Sequence, residues 1–222
     1  IQFVMDDIQC DSDTTEMYFG HQFAPGGYAW IIPKEESIAN VGLGIRRSFA
    51  SEQIPLRDYL TRFIRTHPLV SPRMKYAKVL QSVSAIIPVG GSHSITCSDN
   101  VILAGDAAGH IMASNGGGIP TALAGGLLAG KTAVKNILEG TSLFMYQDIW
   151  KKEFGAELES ALSVLRIADQ VMTSDSVTDC CMRLAGARYI KHLIRCRLPF
   201  PVELASKTIV RMLHWFDNEV NI

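Results

Sequence analysis

The residues best placed to do chemistry lie in Val101–Gly130, VILAGDAAGHIMASNGGGIPTALAGGLLAG. Three apolar residues lead into Ala104-Gly105-Asp106, and the glycines Gly116, Gly117 and Gly118 lead into Ile119-Pro120 and a run of Ala, Gly and Leu. The pattern predicts a buried strand ending on a carboxylate, a loop that lets a ligand approach the backbone, and a helix whose free N–H groups face that ligand. An ionised Asp106 only accepts hydrogen bonds, which suits vicinal hydroxyls. The competing reading is an aspartate that caps its own turn. Ala107, Ala108 and Gly109 keep that turn small enough for a planar group to lie against it. The glycine run offers N–H donors and the positive end of a helix dipole, able to hold a phosphate or a negatively charged planar group. Its plainer reading is a flexible loop. Pro120 suits the first helical turn, where its missing N–H costs nothing.

The elements that must position these residues follow from periodicity. Gln2–Ile8 and Glu16–Gly20 are strand-like, and Tyr28–Pro33 and Ile38–Ile45 flank a polar turn as a hairpin. Glycines within a strand, here Gly42 and Gly44, mark a bulge or a close approach by a ligand or backbone. Ser51–Thr66 has helical spacing, with Ser51 as N-cap and Pro68 as the stop. Lys75–Pro88 reads mostly as a strand, and Val101–Leu103 as a core strand. Residues 119–139 form a helix ended by Gly140. A second helix runs from Leu143 to about Met172, kinked near Gly155. Shorter helices cover 176–185, 187–196 and 201–218.

Composition sets limits. The chain has 222 residues, 47% hydrophobic and 19% charged, with net charge −1 and mean hydropathy +0.14. It can bury a core, and its charge argues against a nucleic-acid partner held by electrostatics. Five cysteines without a CxxC pair argue against a disulfide framework or zinc site, and suit a reducing, cytoplasmic setting. The histidines show no metal-ligand spacing.

GDAAGHIMASNGGGIPTALAGG resembles the second flavin-binding motif of the geranylgeranyl reductase family, FAD-dependent oxidoreductases of the p-hydroxybenzoate hydroxylase-like fold. A second motif agrees. The family carries Y-x-W-x-F-P, a spacer of seven or eight residues, then G-x-G; here stand Tyr28, Trp30, Ile32 and Pro33, eight residues, then Gly42-Leu43-Gly44. Ile32 replaces the family's phenylalanine. The resemblance implies an α+β fold in three parts: a substrate-binding sheet over 1–99, the second half of a flavin domain over 100–140, and a helical region over 141–222. It implies FAD held through Gly105, Asp106, Gly109, Gly116, Gly117, Gly118 and Ile119, with Asp106 at the ribityl chain. It further implies a prenylated lipid substrate against Tyr28, Trp30, Ile32, Pro33, Gly42 and Gly44, and reduced nicotinamide or ferredoxin as electron donor. The reaction would saturate carbon–carbon double bonds of prenyl chains. A hydroxylase, halogenase or dehydrogenase of the same fold, or a non-catalytic isoprenoid-binding module, are the alternatives.

No G-x-G-x-x-G follows a strand, and Ile1 opens on a strand already in progress, so the expectation is the C-terminal portion of a longer flavoprotein. His110 reads as a structural hydrogen-bonding residue or as a proton donor. Arg46-Arg47 reads as a solvated strand end or a contact to a lipid phosphate. Pro199–Phe216 reads as a core-covering helix or as one lying on a membrane surface.

Overall fold

The computed structural model describes residues 1–172 and 174–194. The chain divides into two units: Ile1–Ile86 with Asp169–Leu184, and Ile87–Ala168 with the described residues from Ala185 on. The helix expected over 201–218, including Pro199–Phe216, lies outside the described residues.

The first unit is built on a five-stranded antiparallel sheet, order β2-β3-β4-β1-β5, from β1 (Gln2–Asp6), β2 (Glu16–Phe19), β3 (Tyr28–Pro33), β4 (Ala39–Gly44) and β5 (Lys78–Val83). Period-two alternation buries one face: Phe3 and Met5, Ala29 and Ile31, and Ala39, Val41 and Leu43. Helix α1 (Leu56–Thr66) supplies Tyr59, Leu60 and Phe63 to the same core. Arg73 closes this unit's rim with a two-pronged ion pair to Glu16, its shorter arm 2.6 Å.

The second unit is mainly helical. A short 3₁₀ turn (Gly105–Ala108) precedes α2 (Ile119–Glu139), then α3 (Met145–Trp150), a π-helical turn (Lys151–Gly155) and α4 (Ala156–Val171), whose last residues belong to the first unit. Its core gathers Cys97, Tyr146, Trp150, Phe154 and Leu158. Near Gly155, where the sequence predicts a kink, the chain makes this π-helical turn, in which the ladder widens by one residue. Helix α5 (Asp175–Ile194) breaks at Gly186, whose φ of 68° is not helical. No described helix is long and apolar enough to cross a membrane.

Four local expectations are corrected. Val101–Leu103 is not a buried core strand. Val101 is 49% exposed, and the segment only bridges back on Cys97, through Leu103 N–H to Thr96 O at 2.8 Å and Ser98 N–H to Val101 O at 2.9 Å. A buried strand needs neighbours on both edges, and all five described strands belong to the other unit. The strand over Lys75–Pro88 contracts to β5 because its partner runs out: Lys78 pairs with Asp6 and Val83 with Gln2, the two ends of β1. Ser51 does not cap α1. Pro55 takes the N-cap position with φ −57° and ψ 144°, and a proline disfavours helix in the residue before it, so the helix starts only at Leu56. Arg46 is not a solvated strand end. It pairs with Asp169, donates from Nε to Gly26 O at 2.7 Å and stacks 4.5 Å over the Phe49 ring, while Arg47 is exposed.

Candidate functional site

On the hairpin, β3 and β4 pair Tyr28 with Gly44, Trp30 with Gly42 and Ile32 with Asn40. Directly opposed residues share a face, so Tyr28, Trp30, Ile32, Gly42 and Gly44 stand together on the face turned away from the α1 core. Pro33 pairs with Ala39 and falls at the opposite parity. The Trp30 indole lies across Gly42: a Cβ there would stand 2.5 Å from the ring and 2.8 Å from Ile1 O. The indole N–H donates to Gln2 Oε1 at 3.1 Å. Tyr28 packs 5.7 Å from Trp30, and Phe19 5.8 Å from Tyr28. The result is a broad aromatic and aliphatic surface. Ile32 adds the aliphatic end at 37% exposure.

Four further residues join this face that motif reading missed. Register places Met17 opposite Trp30, Phe19 opposite Tyr28, Gln2 opposite Gly42 and Val4 opposite Asn40. Asn40 also belongs here, and its Oδ1 is buried without a hydrogen-bond partner among the described residues. The alternation is in the sequence, but only the cross-strand register says which residues become neighbours.

The second constellation lies in the other unit. Asp106 is exposed on the 3₁₀ turn, and no described hydrogen bond reaches its carboxylate. Its Oδ1 lies 3.2 Å from where a Cβ on Gly118 would sit. Gly105 is buried against α2, where an added Cβ would stand 3.2 Å from the Ala122 Cβ. Gly109 has φ +68°, and a Cβ there would meet Gly91 O at 2.4 Å. Its glycine is required by a backbone crossing as well as by its turn.

The glycine run divides its donors. Gly116 N–H goes to Met112 O at 2.8 Å and Gly117 N–H to Asn115 Oδ1 at 2.8 Å, closing the loop on itself. The helix ladder begins with Ala122 N–H to Gly118 O at 2.8 Å. Gly118 and Ile119 therefore keep N–H groups with no acceptor among the described residues, next to Asp106. The sequence expectation of three free glycine donors narrows to the last glycine and the isoleucine after it. A carboxylate acceptor beside two helix-terminal donors can hold a polyol with one group and an electron-rich edge with the others.

His110, just beyond this turn, is fully buried. Its ring lies 4.5 Å from Trp150 and 5.1 Å from Phe154, and neither ring nitrogen has a hydrogen-bond partner among the described residues. Burial lowers its pKa to about 4, with a smaller contribution from His93. Burial likewise pushes the Tyr146 hydroxyl up to about 12.

Comparison with known proteins gives a consistent picture. Residues 1–87 match the family model described as the geranylgeranyl reductase catalytic domain. The digeranylgeranylglycerophospholipid reductase 2 of Methanothermobacter thermautotrophicus is 37% identical over 173 residues, 76% of this chain and 43% of that protein. Its namesake in Methanopyrus kandleri is 35% identical over 178 residues, 78% and 45% respectively. The chain spans less than half the length of these relatives. A geranylgeranyl bacteriochlorophyll reductase-like protein from Thermoplasma acidophilum superposes with a TM-score of 0.73 at 28% identity, over 87% of this chain and 50% of that one. A flavin-dependent brominase, 15% identical with a TM-score of 0.60 over 98% of this chain and 55% of its own, shares the α+β fold.

Proposed function

The chain belongs to the geranylgeranyl reductase family, and from that premise we propose that it carries the prenyl-chain surface and the ribityl and ring side of an FAD site. The enzyme it serves would reduce carbon–carbon double bonds in the geranylgeranyl chains of a lipid precursor. The observation that carries this reading is the start of α2. There the exposed Asp106 carboxylate stands beside Gly118, and the Gly118 and Ile119 N–H groups have no acceptor among the described residues. That donor set fits the hydroxylated chain and the electron-rich ring edge of a flavin, and Gly118 has no side chain to block the approach.

The chemistry a bound FAD would supply is hydride transfer to the double bond after its reduction by nicotinamide or ferredoxin, with a proton taken up from solvent completing the saturation. The chain's own residues hold and orient. Asp106 would accept hydrogen bonds from the ribityl hydroxyls, and the two N–H groups would serve the ring edge. On the hairpin, Tyr28, Trp30 and Ile32 offer an apolar surface on which an isoprenoid, bare of polar groups, can lie. Gly42 seats the indole flat, so that this surface stays open. His110 is not the proton source in this scheme, because no atom of it reaches the surface.

The test uses the full-length gene product, reduced and mixed with digeranylgeranylglycerophospholipid. Mass spectrometry should show successive gains of two hydrogens for each double bond. No gain, with flavin bound and reduced, refutes the assignment.

A further inference from the structure

We propose that His110 is a positioning residue for the flavin loop: its buried imidazole pins Gly105–Gly118 to α2, and so sets where Asp106 and the Gly118 and Ile119 N–H groups stand. The proposal rests on the flavin reading above.

His110 is held at three points. Its N–H donates to Gly105 O at 3.0 Å, which closes the turn bearing Asp106. Its own carbonyl accepts the Thr121 hydroxyl, on the first turn of α2. Its ring enters a box formed by Trp150, Phe154 and Tyr146. The box closes on α2 at Gly125, one turn after Thr121, where a Cβ would stand 3.0 Å from His110 Nδ1 and 3.5 Å from the Tyr146 hydroxyl. Thr121 and Gly125, four apart, share a helix face and grip backbone and ring of the same residue. The ring nitrogens have no hydrogen-bond partner among the described residues, and the contacts that hold the ring there are those of shape. A fixed loop keeps the cofactor-facing groups in place before binding, which saves the ordering that binding would otherwise require.

Three variants of the full-length protein test this, at a temperature where circular dichroism shows each folded. His110→Ala should weaken FAD binding by about tenfold or more. It should also speed hydrogen exchange of the amides in 109–118 while leaving the β3–β4 amides unchanged. His110→Phe, which keeps the ring, should restore both. Gly125→Ala should strengthen α2 as a helix, yet weaken FAD binding, because the new methyl displaces the imidazole. A residue that merely filled the core would lower the melting temperature without this separation of affinity from stability. If the wild-type protein binds no FAD, the flavin reading fails and this proposal with it. If the wild type binds FAD and His110→Ala changes neither affinity nor loop exchange, the proposal alone is overturned.

Discussion

Gly42→Ala is the sharpest probe of the hairpin surface. The added Cβ would lie 2.5 and 2.6 Å from two carbons of the Trp30 indole, and 2.8 Å from Ile1 O. Ordinary carbon contacts are about 3.5–4.0 Å, so the ring must move by about 1 Å. The carbonyl of Ile1 cannot move with it, because Ile1 O accepts from Leu43 N–H at 2.9 Å and Ile1 N donates to Leu43 O at 3.0 Å. Overpacking of this kind costs about 1–3 kcal/mol. Loss of the Trp30–Gln2 hydrogen bond adds about 0.5–1.5 kcal/mol. Replacing glycine returns about 0.4–1 kcal/mol through the unfolded chain. The expected net loss is about 1–3 kcal/mol, accompanied by a raised KM for the prenyl substrate as the indole leaves its seat. Thermal or denaturant unfolding of Gly42→Ala, Trp30→Ala and the double variant reads the coupling. If the indole is the obstacle, the double variant loses less than the sum of the singles by about 1 kcal/mol. Additivity, or an unchanged midpoint in Gly42→Ala, refutes the reasoning.

Three other predictions follow from the remaining sites. Asp106→Asn should weaken FAD binding by about tenfold to a hundredfold, the loss of charge-assisted hydrogen bonds, with the melting temperature unchanged because no group among the described residues hydrogen-bonds to the carboxylate; flavin fluorescence titration measures it. His110 holds its pKa at about 4 in the fold against an ordinary 6.5. The unfolded chain therefore binds the extra proton first, and stability falls as pH drops from about 6.5 to about 4, by up to about 3 kcal/mol. The titratable neighbours there are His93 and Tyr146, and unfolding midpoints for His110→Phe should lack this slope. Arg73 and, less, Tyr18 hold the Glu16 carboxyl below its usual range. Its contribution is present above about pH 4.5 and is lost as pH falls through the lowered value. Glu16→Gln should cost about 1 kcal/mol at neutral pH and flatten that acid limb.

How far the fold could be read depended on whether the deciding contact was local. The β3–β4 hairpin needs only alternation and a polar turn, and Tyr28–Pro33 forms the strand expected. Helix α2 ends at Gly140 with φ 67°, a stop that its glycine announces. Val101–Leu103 depends on neighbours that the described residues do not supply, so its apolar run was misleading. Ser51 was outvoted by Pro55, four residues on. Arg46 found Asp169, far along the chain and invisible to any pattern. Gln2 and Val4 reached the hairpin face through register alone. The box around His110 draws on Trp150 and Phe154, forty residues and more away, and no spacing rule connects them.

The glycines show the same division at the level of the site. A motif records that glycine stands at a position, and a ligand is only one of three reasons for it here. At Gly109 a side chain would strike the Gly91 carbonyl, so the backbone crossing alone demands glycine. At Gly42 and Gly125 a side chain would strike a ring, Trp30 or His110. At Gly118 the nearest atoms are the Asp106 carboxylate and Ile111, and the N–H has no partner among the described residues. Only the last geometry leaves a donor without an acceptor among the described residues, as the proposed flavin contact requires. Alanine substitutions should therefore separate: Gly109→Ala lowers stability through the crossing, whereas Gly118→Ala lowers FAD affinity more than it lowers the melting temperature. Equal effects of both substitutions on stability, with FAD affinity untouched at Gly118, would return the whole glycine run to architecture.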